Sequence, residues 1–138
     1  MFEYRKVPKH WKYILTKDAY IRLSRRFYGG MILGTFIELD GRWLRLKKGY
    51  AWDGPSGPTF DTPDAMEGSA AHDALWQLIM EGLIDKKHKR ATDRELKLIC
   101  IRNGMWKWRA NLWYWTLGFV TVASRKRKLD KIYKLEQK

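Results

Sequence analysis

The sequence predicts an α+β fold, a small N-terminal antiparallel sheet followed by three to four helices. Two observations carry this. Short β-rich runs separated by turn residues fill the first sixty positions, and helix-period patterns with capping residues take over after Thr62. No internal repeat, low-complexity tract or long linker interrupts the order. We expect one domain over residues 1–124 and a basic helical tail over 125–138.

Within the first part, Tyr13-Ile14-Leu15-Thr16 and Tyr20-Ile21-Arg22-Leu23 flank Lys17-Asp18-Ala19, which predicts a hairpin. The run from Met31 to Leu39 is rich in strand formers. Asp40-Gly41 is a two-residue turn signal, and Trp43-Leu44-Arg45-Leu46 resumes the alternation. The loop Gly49-Tyr50-Ala51-Trp52-Asp53-Gly54-Pro55-Ser56-Gly57-Pro58-Thr59-Phe60-Asp61-Thr62-Pro63 then ends the last strand. It holds three of the chain's four prolines and sets a carboxylate, Asp53, between an indole and a glycine. Such fixed dihedrals suit a side chain that must be positioned.

Thr62-Pro63-Asp64 reads as a helix start, with a capping hydroxyl, proline at the first helical position and an acid near the positive dipole end. That helix should reach Glu81 and close at Gly82, with Ala71, Ala74, Leu75, Leu78 and Gly82 on one face. A second helix should cover Lys86 to Asn103, with Asp85 as cap and Gly104 beyond its end. The pattern Thr92-x-x-Glu95 offers an alternative start as a capping box. A third helix should run from Trp106 to Ala123, and the tail from Arg125 to Leu135 reads as a fourth.

The single cysteine, Cys100, excludes a disulfide framework and a Cys-based zinc site. The first residues predict no signal peptide, since no apolar stretch follows the early charges. The net charge of +13 is unevenly placed. Residues 49–85 carry seven acids and no Lys or Arg, while residues 1–48, 86–109 and 125–138 are all strongly basic. A basic frame attracts nucleic acid, anionic lipid or phosphates, and an acidic middle favours a cation.

The polar residues that could carry chemistry are Asp53, Ser56, His72, Asp73 and Asp93. His72 and Asp73 are neighbours on one helix and point about 100° apart. One His and the three carboxylates Asp53, Asp73 and Asp93 would suit a hard or borderline divalent cation, Mg²⁺, Mn²⁺ or Zn²⁺. A metal-free version would use His72 as base and Ser56 as nucleophile, although no nucleophile-elbow motif surrounds Ser56. His10 and His88 sit in basic, polar surroundings and are not expected to join. The opposing reading is a structural network in which the same carboxylates and imidazole lock the loop to the helices.

Gly49-Tyr50-x-Trp52-Asp53-Gly54-x-Ser56-Gly57-Pro58-Thr59, His72-Asp73-Ala74-Leu75-Trp76, Arg90-x-x-Asp93, Gly104 and Arg109-Ala110 together resemble a family of small phage and prophage proteins catalogued as domain of unknown function 1353. The similarity spans about residues 30–118. It implies a phage or prophage origin, location in the host cytoplasm or the virion, and an unassigned activity. The family's recurring polar positions correspond to Asp53, Ser56, His72, Asp73 and Asp93. Pro55 stands where the family usually has a small residue, and the basic tail is particular to this chain.

Residues 110–124 carry no charge and run into Arg125-Lys126-Arg127-Lys128. Fifteen residues are too few to cross a bilayer, for which roughly twenty are needed. The segment reads as a core helix, with contact at a membrane surface as the lesser expectation. Lys107, Arg109, Arg125, Lys126, Arg127 and Lys128, interleaved with aromatics, are the residues expected to contact nucleic acid non-specifically or another phage protein. No sequence-reading nucleic-acid motif is present, and no small-molecule cofactor is implied. Two functions follow: a non-enzymatic phage accessory or virion protein with a basic interaction surface, or a phage-encoded metal-assisted hydrolase of an anionic, phosphate-bearing substrate.

Overall fold

Among the described residues, seven short strands come first and three helices after them, as the change of period at Thr62 predicts. The structure, a computed structural model, describes residues 2–7, 13–54 and 62–120. The strands are β1 (Tyr4–Lys6), β2 (Tyr13–Leu15), β3 (Ala19–Arg22), β4 (Met31–Leu33), β5 (Ile37–Asp40), β6 (Trp43–Leu46) and β7 (Ala51–Trp52). The helices are α1 (Pro63–Met80), α2 (Lys89–Arg102), preceded by a 3-10 turn at Lys86–His88, and α3 (Lys107–Leu117).

The strands form two antiparallel sheets, β1-β2-β7 and β3-β6-β5-β4. Register follows hydrophobic alternation, because slipping by one residue would turn every apolar side chain outward. Ile21, Leu44, Leu39 and Ile32 lie in one row across the larger sheet, and all four are buried. The next row out, Tyr20, Arg45, Glu38 and Leu33, faces away from the core, with Arg45 bonded to Glu38 and Asp18. Asp40 and Trp43 close the β5–β6 hairpin around Gly41, whose φ of 60° fits the first position of a two-residue turn.

The predicted hairpin between Tyr13–Thr16 and Tyr20–Leu23 does not form. β2 pairs with β1 and β7, and β3 pairs with β6, so the two halves enter different sheets. Asp18, between them, accepts from the Lys48 backbone N–H and from Arg45. Those bonds tie the link to the end of β6 instead of folding it into a tight turn. The run Met31–Leu39 splits into two strands around Gly34, whose N–H donates to the Ile37 carbonyl. A Cβ at Gly34 would sit 2.8 Å from that same oxygen.

α1 is buried on most of its circumference. One side meets the sheets through Ala70, Ala71, Ala74, Leu75, Leu78 and Ile79. Its start joins a second cluster with α2 and α3, containing Ala65, Leu96, Cys100, Met105, Ala110, Trp113 and Leu117. Small residues allow this double packing: a Cβ on Gly68 would lie 2.8 Å from the Cys100 sulfur. α1 ends at Met80, followed by Gly82 at φ 77°, and α2 is followed by Gly104 at φ 101°, both as the glycine placement predicts.

Four details of the helix ends differ from expectation. The Thr62 hydroxyl donates to Asp64 Oδ1 at 2.5 Å and makes no capping bond. Asp85 does cap, accepting from the Lys87 N–H at 2.8 Å, but it caps the 3-10 turn that precedes α2. Thr92-x-x-Glu95 lies inside α2 and is no capping box: Thr92 bonds back to the Lys89 carbonyl, and Glu95 points across to Ser24. α3 stops at Leu117, six residues short of the predicted end. The expected tail helix lies outside the described residues.

Candidate functional site, a buried His-Asp cluster

The strand before the Trp-Asp-Gly loop is held by aromatic packing. Trp52 is fully buried, and its indole N–H donates to Ser69 Oγ on α1 at 3.0 Å; Ser69 in turn donates to the Met66 carbonyl. Around the indole stand Tyr50, nearly parallel at 6.2 Å between ring centroids, and Phe2, Tyr4 and Tyr13. Gly54 has φ 84°, and a Cβ there would come within 2.5 Å of the Tyr13 ring. The glycine is therefore required twice, by its backbone and by the ring above it. Asp53 follows β7 at intermediate exposure. Ser56 lies outside the described residues.

His72 and Asp93 meet, but their surroundings are not those of an open site. Asp93 is fully buried on α2. Its Oδ1 is 2.7 Å from His72 Nε2 on α1, and its Oδ2 is 2.7 Å from Lys89 Nζ and 3.0 Å from Arg90 Nη1. The spacing explains the pairing: Lys89 and Arg90 lie four and three residues before Asp93, one turn back on the same helix. Both cations also reach the end of α3. Lys89 donates to the Leu117 carbonyl at 2.5 Å, and Arg90 donates to the Tyr114 carbonyl at 2.9 Å while lying over the Tyr114 ring. The last carbonyls of a helix carry partial negative charge and lack intrahelical partners. One carboxylate thus holds an imidazole on α1, and through two cations it holds the C-terminus of α3.

The protonation states follow from this arrangement. Burial pushes the His72 imidazole down, but the Asp73 and Asp93 carboxylates outweigh burial and hold it above its ordinary 6.5. Burial pushes the Asp93 carboxyl up, and the hydrogen bond and charge of His72, then of Lys89, more than offset that and hold it below 3.8. An imidazolium donates from Nε2 to Asp93. The Trp76 indole nitrogen lies 2.9 Å from the same Nε2, and a ring nitrogen can accept that N–H only when it carries no proton. The two contacts therefore belong to Nε2 with its proton and to Nε2 without it. The ion pair with Asp93 is the state below the His72 pKa.

Asp73 Oδ1 is 3.9 Å from His72 Nδ1, on the other side of the ring. Among the described residues, no group of three or more His, Cys, Asp or Glu side chains is arranged to hold a metal ion. The expected cation ligands Asp53, His72, Asp73 and Asp93 fall in no such group. The physical reason lies at Asp93, where Lys89 and Arg90 already supply positive charge to the oxygen that a metal would need. Comparison with protein-family models, curated proteins and solved structures returns no match. The resemblance to the phage family rests on its quoted residues alone.

Sequence reasoning missed three members of the polar interior. Lys89 reads as part of a basic run and Arg90 stands only in the Arg90-x-x-Asp93 of the family resemblance, yet the spacing Lys89-Arg90-x-x-Asp93 contains their ion pairs. Glu95, only 1 % exposed, accepts from the Ser24 backbone N–H at 2.6 Å and from the Ser24 hydroxyl, joining α2 to the segment after β3. Nothing local in the sequence marks that contact, which spans seventy-one positions. Of the expected binding residues, Lys107 is exposed, whereas Arg109 is half-buried with Nη1 3.8 Å from Asp64 Oδ1. Arg125, Lys126, Arg127 and Lys128 lie outside the described residues. No helix among the described residues is long and apolar enough to cross a membrane.

Proposed function

We propose that this chain is a non-enzymatic phage accessory or virion protein, in which the His-Asp cluster is a clamp between helices and the basic surface is the working part. The observation that carries the first half is Asp93: a carboxylate with no exposure, whose two oxygens are shared among His72, Lys89 and Arg90. A hydrolytic carboxylate needs a free oxygen or a bound cation facing substrate. Asp93 instead meets two cations that are themselves bonded to α3. The phage assignment comes from the resemblance, and the basic working surface from a net charge of +13. That charge is sufficient for salt-sensitive attraction to an anionic partner.

The test is a thermal melt of the purified chain with and without Mg²⁺, Mn²⁺ and Zn²⁺, beside Asp73→Ala, with metal content measured on the same samples. The clamp reading expects no bound metal, no metal-dependent shift and a destabilised variant. Stoichiometric metal, or a metal-dependent rise in Tm that Asp73→Ala removes, would overturn it in favour of the metal-assisted hydrolase.

A further inference from the structure

The uncharged stretch that reads in sequence as a core helix is apolar on two faces, and only one of them is covered. Ala110, Trp113 and Leu117 of α3 are buried against α1 and α2. On the other side Trp108, Leu112 and Trp115 recur at intervals of four and three residues, and Phe119 in the closing turn extends the row. Three of the four are more than 60 % exposed, and the Trp115 and Phe119 rings touch edge-to-face at 5.0 Å. Trp106 adds a further exposed indole beside Trp108. A helix apolar all round is ordinarily buried on all sides. Here Trp108, Leu112, Trp115 and Phe119 form a continuous apolar row about 16 Å long on the solvent side.

We propose that this row is the contact face of α3 with an anionic lipid surface, on which the helix lies flat. The inference rests on the proposed basic working surface and names its partner. The charge around the row supports it. From Leu96 to Leu129 the chain has no Asp or Glu. Within that stretch stand Lys107 on α3, Lys97 on α2 beside the Tyr114 ring, and the run Arg125-Lys126-Arg127-Lys128 shortly after Phe119, while Arg102 and Arg109 pair with Glu67 and Asp64 of α1. Trp and Phe beside Lys and Arg are the residues that settle at the headgroup level of a bilayer, with rings in the acyl boundary and cations against lipid phosphates. A helix of eleven residues is too short to span the bilayer, so it lies in the interface. The alternatives fit less well. Leu112 in the middle of the row offers no ring to stack on a nucleic-acid base. A second copy would bring the same acid-free segment against itself, and the chain's own tail would do the same with Arg125–Lys128.

The experiment is co-sedimentation of the full chain with unilamellar vesicles, either equal parts phosphatidylglycerol and phosphatidylcholine or phosphatidylcholine alone, at low and high salt. Beside it runs the triple variant Trp108→Ser, Trp115→Ser, Phe119→Ser. We expect binding to the anionic vesicles that partly survives high salt, a blue shift of tryptophan emission on binding, and a loss on the order of tenfold or more in partitioning for the variant. Because these rings are largely exposed, the variant should keep the parent's circular dichroism; if it does not fold, the single change Trp108→Ser and the parent's blue shift decide. Vesicle binding that the variant retains in full, or that high salt removes completely, overturns the lipid face while leaving the basic surface standing. Loss of single-stranded DNA retention in the variant, with vesicle binding intact, assigns the row to nucleic acid instead. Self-association without vesicles that the variant abolishes assigns it to a second copy. No binding to vesicles or to DNA overturns this inference and the basic-surface reading together.

Discussion

Replacing Asp93 by Asn tests the clamp at its centre. The side chain keeps its shape but exchanges a carboxylate for one carbonyl and one NH₂ group. In the parent, three donors converge on the two oxygens at 2.7, 2.7 and 3.0 Å in a fully buried position. In the variant an NH₂ must face either the His72 N–H or the two cations, and the buried positive charge loses its counterion. Removing one partner of a buried ion pair costs roughly 3–5 kcal/mol. Arg90 is 43 % exposed and can turn to water, and Lys89 keeps the Leu117 carbonyl, so the lower end of that range, about 3 kcal/mol, is expected. For a chain of this length each kcal/mol moves Tm by roughly 3–5 °C, which predicts a fall of about 10 °C. Urea unfolding should show the midpoint shifted with the slope unchanged. A cycle with His72→Gln should return a coupling of about 1 kcal/mol or more between the two residues. An Asp93→Asn protein within about 0.5 kcal/mol of the parent would refute the clamp, because that is the range of surface substitutions.

Three further outcomes follow from the same structure. His72 is raised, so its contribution to stability is complete below about 6.5 and is lost as pH climbs through its folded pKa; Asp93 is lowered, so its contribution is present above about 3.8 and fades as pH drops through its folded value. The groups facing the imidazole are Asp73, Asp93 and the Lys89 and Arg90 beyond, so urea midpoints should fall on the alkaline side in the parent and flatten there in His72→Gln. Gly54→Ala should destabilise by at least about 1–2 kcal/mol, from the left-handed backbone alone, with more from the methyl that would sit 2.5 Å from Tyr13; a melt equal to the parent's would contradict the packing described for the loop. Burial pushes the Cys100 thiol up to about 12, so the native protein should resist thiol reagents at neutral pH and react on unfolding in denaturant; rapid labelling of the native chain would show that α1 and α2 do not close over Gly68 and Cys100.

Local chemistry made much of the fold legible. The Asp40-Gly41 turn, the proline at the start of α1, the Asp85 cap and the glycines after α1 and α2 each act through their own backbone or an immediate neighbour, so their signals survive in a single sequence. The partition of strands between two sheets was not legible. β1 exposes both Arg5 and Lys6 and shows no alternation, and β7 has only two residues, so the partners that draw β2 away from β3 leave no pattern of their own. At the site, His72, Asp73 and Asp93 stood out by residue type. What surrounds them depended on Lys89 and Arg90, whose charges look solvated when read in a run of basic residues.

The sequence by itself determined where the period changes, which residues bend the chain, and that a basic frame surrounds an acidic middle. These are properties of single residues and of spacings within a turn or two. Only the tertiary structure decided that Asp93 lies out of water between an imidazole and two cations, and that Trp108, Trp115 and Phe119 lie in it. Burial is set by what packs on each face. The packing around α2 buries Trp113 and leaves Trp115 exposed, two residues away on the same helix, and no property of either indole distinguishes them.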